Sequence, residues 1–313
     1  MLTGRQQKKI SGLLENLLGS TSISLLDVGA AGGAHERWAA YRKHIDFFAV
    51  EPDLRSADSI ARKGAFKSET IITRGLWSEE REIILNLCRE PKVSSVFTPN
   101  LTFLGIFPHS DAYDVLDRRL ISVTTIDKAA SELGTHFDSI KLDIQGAELE
   151  VLIGAESILK TSLAIEVEVE FSEAYQGQPL FNDVFKHLKF RGFEFIDFLS
   201  MHRWSPEQFG VGQSVFADAL FMRSPEKVAY DSKINHGVVI KYVAICSVYE
   251  RGDLILRLAN ALKSDNESSD LYGKILEIGQ LIHARNKRTQ TRLTRLSHLL
   301  MVGHISVRGH FFH

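Results

Sequence analysis

SISLLDVGAAGG, residues 22–33, is the stretch on which the fold turns. An apolar run ends at Val28 and breaks into glycines, as a buried strand does when it turns tightly into a helix. HERWAAYRKH (35–44) follows with helical composition and no breaker, and DFFAVEP (46–52) is a second apolar run stopped by Pro52. DLRSADSIARKG (53–64) then reads as a helix, with Asp53 placed as an N-cap and Gly64 as a C-cap. ETIITRG (69–75) is a third strand. Strand–helix–strand alternation with short loops is the sequence form of a parallel sheet covered by helices on both faces.

Further along, EREIILNLC (80–88) has strand character, and the polar, turn-rich stretch 91–117 reads as a loop excursion over the surface. The rhythm resumes with RLISVTT (119–125), a short helix IDKAASELG (126–134) ended by Gly134, and the strand DSIKLDI (138–144). GAELEVLIGAESILK (146–160) is expected as one helix with acids in its first turn. The strand SLAIEVEVEF (162–171) and the helix PLFNDVFKHLKFRG (179–192) follow. FEFIDFL (193–199) and SVFADALFM (214–222) resemble a closing antiparallel pair. The expected division is an N-terminal amphipathic helix (1–20), an α/β domain (21–230) and a helical C-terminal extension (231–313), broken near SDNESSD (264–270) with a long stretch from Asp270 to about Met301.

The 313 residues are 44% hydrophobic and 24% charged, with a formal net charge of −2. That balance suits a globular core and excludes bulk attraction to nucleic acid. No run reaches the roughly 18 apolar residues of a membrane span. Cys88 and Cys246 are the two cysteines, far apart in the chain, which argues against a disulfide framework or a cysteine-held zinc and fits a reducing cytoplasm.

Three acids fall at strand ends. Asp27 stands two residues before Gly29, Glu51 closes the next strand, and Asp143 closes IKLDI. In a doubly wound sheet ligands bind outside the carboxyl ends of the strands, so all three would face one crevice. A carboxylate at Glu51 can accept both hydroxyls of a ribose. The plainer alternatives are a turn acid for Asp27 and a solvated strand end for Glu51. GAAGG does not supply the GxGxxG of a nicotinamide site.

DVGAAGG, AVEPD, TTIDKAA…FDSIKLDIQGAELEVLIGAESIL and EVEVEFSEAYQGQPLF…LKFRGFEFIDF together resemble the FkbM-type S-adenosylmethionine-dependent methyltransferases over roughly residues 21–222. The block from Lys141 to Ala155 is the most specific part. The resemblance implies a Rossmann-like, doubly wound, mostly parallel sheet with an antiparallel closing strand, and methyl transfer, commonly to a hydroxyl oxygen of a sugar or polyketide-like acceptor. It places the methionine end of the cofactor on the Gly29, Ala30, Gly33 turn beside Asp27, the ribose on Glu51, and adenine near Arg74, Gly75 and Leu76. Gln145 stands where many relatives carry Glu, which weakens a metal held beside Asp143; no metal is expected.

A hydroxyl acceptor must lose a proton, and the candidate bases are Asp143, Glu168 and Glu170, with His109 and His202 in polar loops where ordinary exposure is the simpler reading. Glu166, Glu168 and Glu170 alternate with Val167, Val169 and Phe171 and so share one strand face. Acids on a covered face are costly unless paired, although the end of the strand could instead emerge into solvent. Ser94 and Ser95 either contact a ligand or merely turn the chain. From Ile278 to His313 there is no acid, while Arg285, Lys287, Arg288, Arg292, Arg295 and Arg308 are basic. Such a tail suits an anionic membrane surface or acidic acceptor, or packs on the domain or a second copy as a homodimer. The expected function is a cytoplasmic O-methyltransferase using S-adenosylmethionine on a carbohydrate or glycolipid-like hydroxyl, with no nucleic-acid partner. The rival is a catalytically silent member acting through its helical end.

Overall fold

The computed structural model describes residues 4–30, 33–52, 66–206, 210–233, 235–266 and 269–286. The expected helix 53–64 and the tail beyond Asn286, including Lys287 to Arg308, lie outside the described residues. Residues 22–224 form one compact unit, and the segments 1–21 and 225–313 form another.

The first unit is built on β1 (Ile23–Val28), β2 (Ile45–Val50), β3 (Ser68–Ile72), β4 (Gly75–Leu76), β5 (Arg81–Cys88), β6 (Val115–Thr124), β7 (Ser139–Leu142), β8 (Ala164–Glu170), β9 (Phe193–Phe198), β10 (His202–Trp204) and β11 (Gln213–Arg223). The main sheet runs β3–β2–β1–β7–β8–β11–β10, with β9 also paired to β11. β3 through β8 are parallel, whereas β11 is antiparallel to β8, β9 and β10. This is the doubly wound sheet with an antiparallel closing strand. The order reverses at β1, whose neighbours β2 and β7 bring their carboxyl ends beside its own, the point at which a doubly wound sheet receives its ligand.

β1 and β8 are buried along their whole length, and β2 and β7 at every position but one. One face carries Leu26, Val28, Ile140, Leu142, Ile165, Val167 and Val169, packed into the main core with Phe137, Val151, Leu152 and Leu188. Full burial of each such side chain contributes roughly 1.5–3 kcal/mol, so this face holds the sheet together. The other face holds Asp27, Lys141, Glu166 and Glu168 in the same strands, at the alternate positions. HERWAAYRKH forms a 3-10 helix over Glu36–His44, with Trp38 and Tyr41 buried and the His35 ring accepting from Arg37 N–H.

Three sequence expectations are corrected. β6 does not join the main sheet: β4, β6 and β5 form a separate three-stranded sheet, with β5 and β6 antiparallel. The stretch 91–117 is not an irregular loop. It holds short helical turns at Pro91–Val93, Leu101–Leu104 and Ser110–Tyr113 before β6 begins at Val115, and Leu104 packs with Ala174 and Tyr175. The helix expected over 146–160 stops at Ile153. A Cβ at Gly154 would collide with the Trp77 carbonyl, so the chain must pass that point without a side chain. Asp127 then accepts from Ser157 and Ile158 N–H at 2.8 and 2.9 Å, which starts the next turn.

In the second unit, helix Gly237–Val248 is apolar all round and buried from Tyr242 to Val248. Helices Gly4–Leu18, Pro225–Asp231 and Gly252–Asn266 pack against it, and Leu14, Leu18, Ile255, Leu258 and Ile275 are buried there. Cys88 and Cys246 are both free and buried, each within its own unit. No helix among the described residues is long and apolar enough to cross a membrane.

Candidate active site

Asp27, Lys141 and Glu166 sit in register on three adjacent parallel strands. The row reads minus, plus, minus across β1, β7 and β8, on the face opposite the core. Lys141 Nζ is 3.7 Å from Asp27 Oδ1 and 3.2 Å from Asp143 Oδ2. Arg37, reaching in from the 3-10 helix, meets Glu166 Oε2 at 2.7 Å. Buried charges persist only when paired in this way. The acids around Lys141 hold its ammonium firmly protonated despite burial. Burial pushes Asp27 up to about 6, opposed by Lys141.

The turn after β1 lies against the end of β7. Gly29 has φ +84°, and a Cβ there would collide with the Asp143 carbonyl oxygen. Asp143 N–H donates to Val28 O at 3.1 Å, and Gly29 N–H donates to Val50 O at 3.2 Å. Gly33 (φ +74°) closes the turn by donating to Ala30 O at 2.8 Å; Ala31 and Gly32 lie outside the described residues. Ala30 is buried, and so is Glu51, whose N–H donates to Ile72 O. Asp27, Gly29, Ala30, Gly33, Glu51 and Asp143 are thus gathered at the ends of β1, β2 and β7. Leu76 differs: its side chain belongs to the main core, and Arg74 pairs with Glu132 instead of turning to the crevice.

Beside the turn stands an acid cluster. Glu168 and Glu170 are 8% and 5% exposed, so the end of β8 does not emerge into solvent. Glu148, at the start of helix Glu148–Ile153, joins them, and one oxygen from each of the three lies within 4.8 Å of the others. Oxygen donors so grouped are the set here that could take a divalent cation. Burial and repulsion from neighbouring acids, Asp143 among them, raise all three carboxyls, Glu148 to about 7 and the other two well above the usual range.

Gln145 joins the cluster to Asp143. Its Nε2 donates to Glu168 Oε1 at 2.9 Å and to Asp143 Oδ1 at 3.3 Å, while its Oε1 accepts from Tyr175 O–H at 3.2 Å. The connection between β5 and β6 reaches the same point. Ser95 Oγ donates to Gln145 O at 2.7 Å, and the Tyr175 hydroxyl shares its one proton between Val93 O at 2.8 Å and Gln145 Oε1. Ser95 therefore fastens the site's backbone, and Ser94 Oγ accepts from Cys88 N–H. Tyr113 packs tilted against Tyr175 at 5.9 Å, and the rings of Tyr113, Trp204, Phe103 and Phe107 pack edge to face or stacked at 5.2 to 6.3 Å. His109 is exposed, and His202 is exposed and stacked on Phe216.

Sequence reasoning did not single out Lys141, Arg37, Glu148 or Tyr175. For Lys141 a signal was present: a charge inside a short central strand of a parallel sheet, two residues before Asp143, breaks the expected apolar run. Arg37 and Tyr175 carried none, since each meets its partner across more than 80 residues of chain.

Residues 27–195, more than half of the chain, match the FkbM methyltransferase domain. No curated protein matches. Among solved structures the chain is similar to a TehB-like SAM-dependent methyltransferase of Corynebacterium glutamicum, with 15% identity, TM-score 0.32, and coverage of 68% of this chain and 87% of that one. It is also similar to the N-methyltransferase NodS of Bradyrhizobium japonicum in complex with S-adenosyl-L-homocysteine, with 11% identity, TM-score 0.34, and coverage of 69% and 86%. On the match over 27–195 the chain belongs to the FkbM family of S-adenosylmethionine-dependent methyltransferases.

Proposed function

We propose that this chain is an O-methyltransferase whose acceptor is a hydroxyl of a carbohydrate or glycolipid-like molecule. The observation that carries the reading is the contact between two halves of one site: the glycine turn after β1 lies against Asp143, and Gln145 links Asp143 to Glu168.

The residues fit the cofactor. Asp27 Oδ1 is buried, and its partner is the Lys141 ammonium at 3.7 Å, beyond hydrogen-bond distance, which leaves the carboxylate able to take the ammonium group of the cofactor as well. Gly29, Ala30 and Gly33 turn the backbone beside it, and the buried carboxyl of Glu51 suits ribose hydroxyls. Leu76 underlies the site as packing. Bound S-adenosylmethionine supplies an electrophilic methyl group on a sulfonium. The chain's own part is to hold the acceptor in line and to take its proton, and most of the acceleration in such a displacement comes from positioning. Asp143, Glu168 and Glu170 are the proton acceptors. Their buried setting draws the affinity of Glu168 and Glu170 for a proton upward, which makes each a stronger base in its ionised form. The half-buried ring of Tyr113, close to Glu168 and Glu170, with Trp204 packed against it, suits a sugar-like acceptor, whose C–H faces stack on rings.

Calorimetric titration with S-adenosylmethionine and S-adenosylhomocysteine, with NAD as control, tests the cofactor half. Micromolar binding, about −8 kcal/mol, is expected in the wild type and is lost in Asp27→Ala and Glu51→Ala. Methyl transfer across a panel of sugars and glycolipids tests the acceptor half. Turnover that survives Asp143→Asn together with Glu168→Gln would remove the acids from the chemistry, and no turnover on any hydroxyl acceptor would remove the acceptor class.

A further inference from the structure

Two tyrosines lie ring to ring beside the acid cluster, and they are held in opposite ways. Tyr175 is buried, and its hydroxyl is engaged by Val93 O and Gln145 Oε1. Tyr113 is half-buried, and among the described residues no hydrogen bond engages its hydroxyl. Burial, with Glu168 and Glu170 nearby, keeps that phenol protonated, so it stands as a neutral donor next to the proposed proton acceptors. A phenol partly withdrawn from water and left without a protein partner lacks a hydrogen bond that a bound polyol would restore.

The ring is fixed from its backbone. Tyr113 ends the turn Ser110–Tyr113, and the chain leaving β5 takes the carbonyls on either side of it: Glu90 N–H donates to Ala112 O at 3.0 Å and Arg89 N–H to Asp114 O at 2.9 Å. The Arg89 side chain adds Asp111 O at 3.3 Å and Asp114 Oδ2 at 3.0 Å. The ring neighbours of Tyr113, Tyr175 at 59° and Trp204 at 64°, both meet it at a steep angle, so neither covers it as a parallel ring would. A six-membered sugar carries C–H bonds on its face and hydroxyls around its rim, which is complementary to an aromatic face with a donor at its edge. A wholly apolar ligand would also lie on the ring, but it would leave the phenol and the carboxylates beside it unpaired.

We propose that Tyr113 selects the acceptor, its ring stacking on the C–H face of a pyranose while its hydroxyl donates to a sugar oxygen, so that a neighbouring sugar hydroxyl is presented to the acids. This rests on the O-methyl transfer reading above and deepens it, by naming the ring form of the acceptor and the side chain that recognises it.

The full chain is assayed for methyl transfer from S-adenosylmethionine to the methyl and octyl pyranosides of glucose, galactose and mannose, and kcat and KM are measured on those it methylates. Tyr113→Ala is expected to raise KM by about tenfold with kcat within about threefold, the pattern of lost acceptor binding. Tyr113→Phe keeps the ring and its packing but loses the hydroxyl, and is expected to raise KM by about fivefold, the worth of one hydrogen bond. S-adenosylhomocysteine affinity, measured by calorimetry on the same samples, stays within about twofold in both variants, which a general loss of structure would not allow. An active wild type whose KM moves by less than about twofold in Tyr113→Ala overturns the assignment, and so does a fall in kcat at constant KM, which would put Tyr113 in the chemical step. Should Tyr113→Ala fail to fold, Tyr113→Phe decides by the same measure. Each of these results leaves O-methyl transfer standing. A wild type that binds S-adenosylhomocysteine and methylates none of the pyranosides overturns the proposal through its acceptor, and the failure then shows before any variant is made.

Discussion

Glu148→Gln separates the cost of burying an acid from the cost of losing its hydrogen bonds. Glu148 is 2% exposed, and burial raises its carboxyl from 4.5 to about 7 against the pull of the Ile144 N–H and neighbouring amides. At about 1.4 kcal/mol per pH unit, that rise corresponds to about 3 kcal/mol. The sign follows from proton binding. Between 4.5 and 7 the folded protein holds a proton that the unfolded chain has released, so stability falls as pH rises through this window. The full penalty stands above about pH 7, and none of it below 4.5. Gln cannot ionise, and its Oε1 can still accept from Ile144 N–H, a bond of 2.7 Å in the wild type. Urea denaturation of both proteins from pH 4.5 to 8.5 gives the stability difference at each pH. That difference should move by about 3 kcal/mol in favour of the variant from the acid to the alkaline end, equivalent to roughly 6–12 °C in melting temperature for a domain of this size. A constant offset would report only the exchanged backbone bonds and is expected to be small. A difference that does not change with pH, or that moves against the variant, would refute a raised Glu148 and the buried acid cluster with it.

Lys141→Met leaves Asp27 and Asp143 without their shared cation and should cost about 3–5 kcal/mol in urea denaturation at pH 8. The loss should shrink toward pH 5 as Asp27, already raised to about 6, takes up a proton, and a loss equal at both pH values would count against the charged row. Gly29→Ala drives a Cβ into the Asp143 carbonyl, so a loss of more than about 2 kcal/mol is expected. Gly134→Ala, with φ +62° and open space around it, should cost about 1 kcal/mol in the same assay. Asp127→Ala removes two hydrogen bonds that start the turn at Ser157 and should lower stability by about 1–2 kcal/mol.

Much of the site was legible because its signals are local. Asp27 and Gly29 are two residues apart, Glu51 ends its own strand, and Glu168 and Glu170 alternate with valines, so strand period and glycine turns place them without knowledge of any partner. The strength of the case for Glu170 was not legible. Whether the end of β8 is covered depends on Tyr175 and on the connection from β5 to β6, and those come from distant sequence. The surface loop expected over 91–117 is a folded segment for the same reason: Leu104 finds Ala174 and Tyr175, some seventy residues on, and no periodicity announces that meeting.

The alternation of strands and helices and the placing of Asp27, Glu51 and Asp143 at strand ends follow from the amino-acid sequence alone, because strand period and breakers act over a few residues. Register across the sheet is decided by packing. Asp27, Lys141 and Glu166 come into line only when β1, β7 and β8 slide until one face is wholly apolar, and the charges on the opposite face must then match one another. The stop at Gly154 and the separate sheet of β4, β5 and β6 were likewise settled in the tertiary structure. Each is a place where a distant group, the Trp77 carbonyl or the β6 ladder, overrides what the neighbouring residues would do unaided.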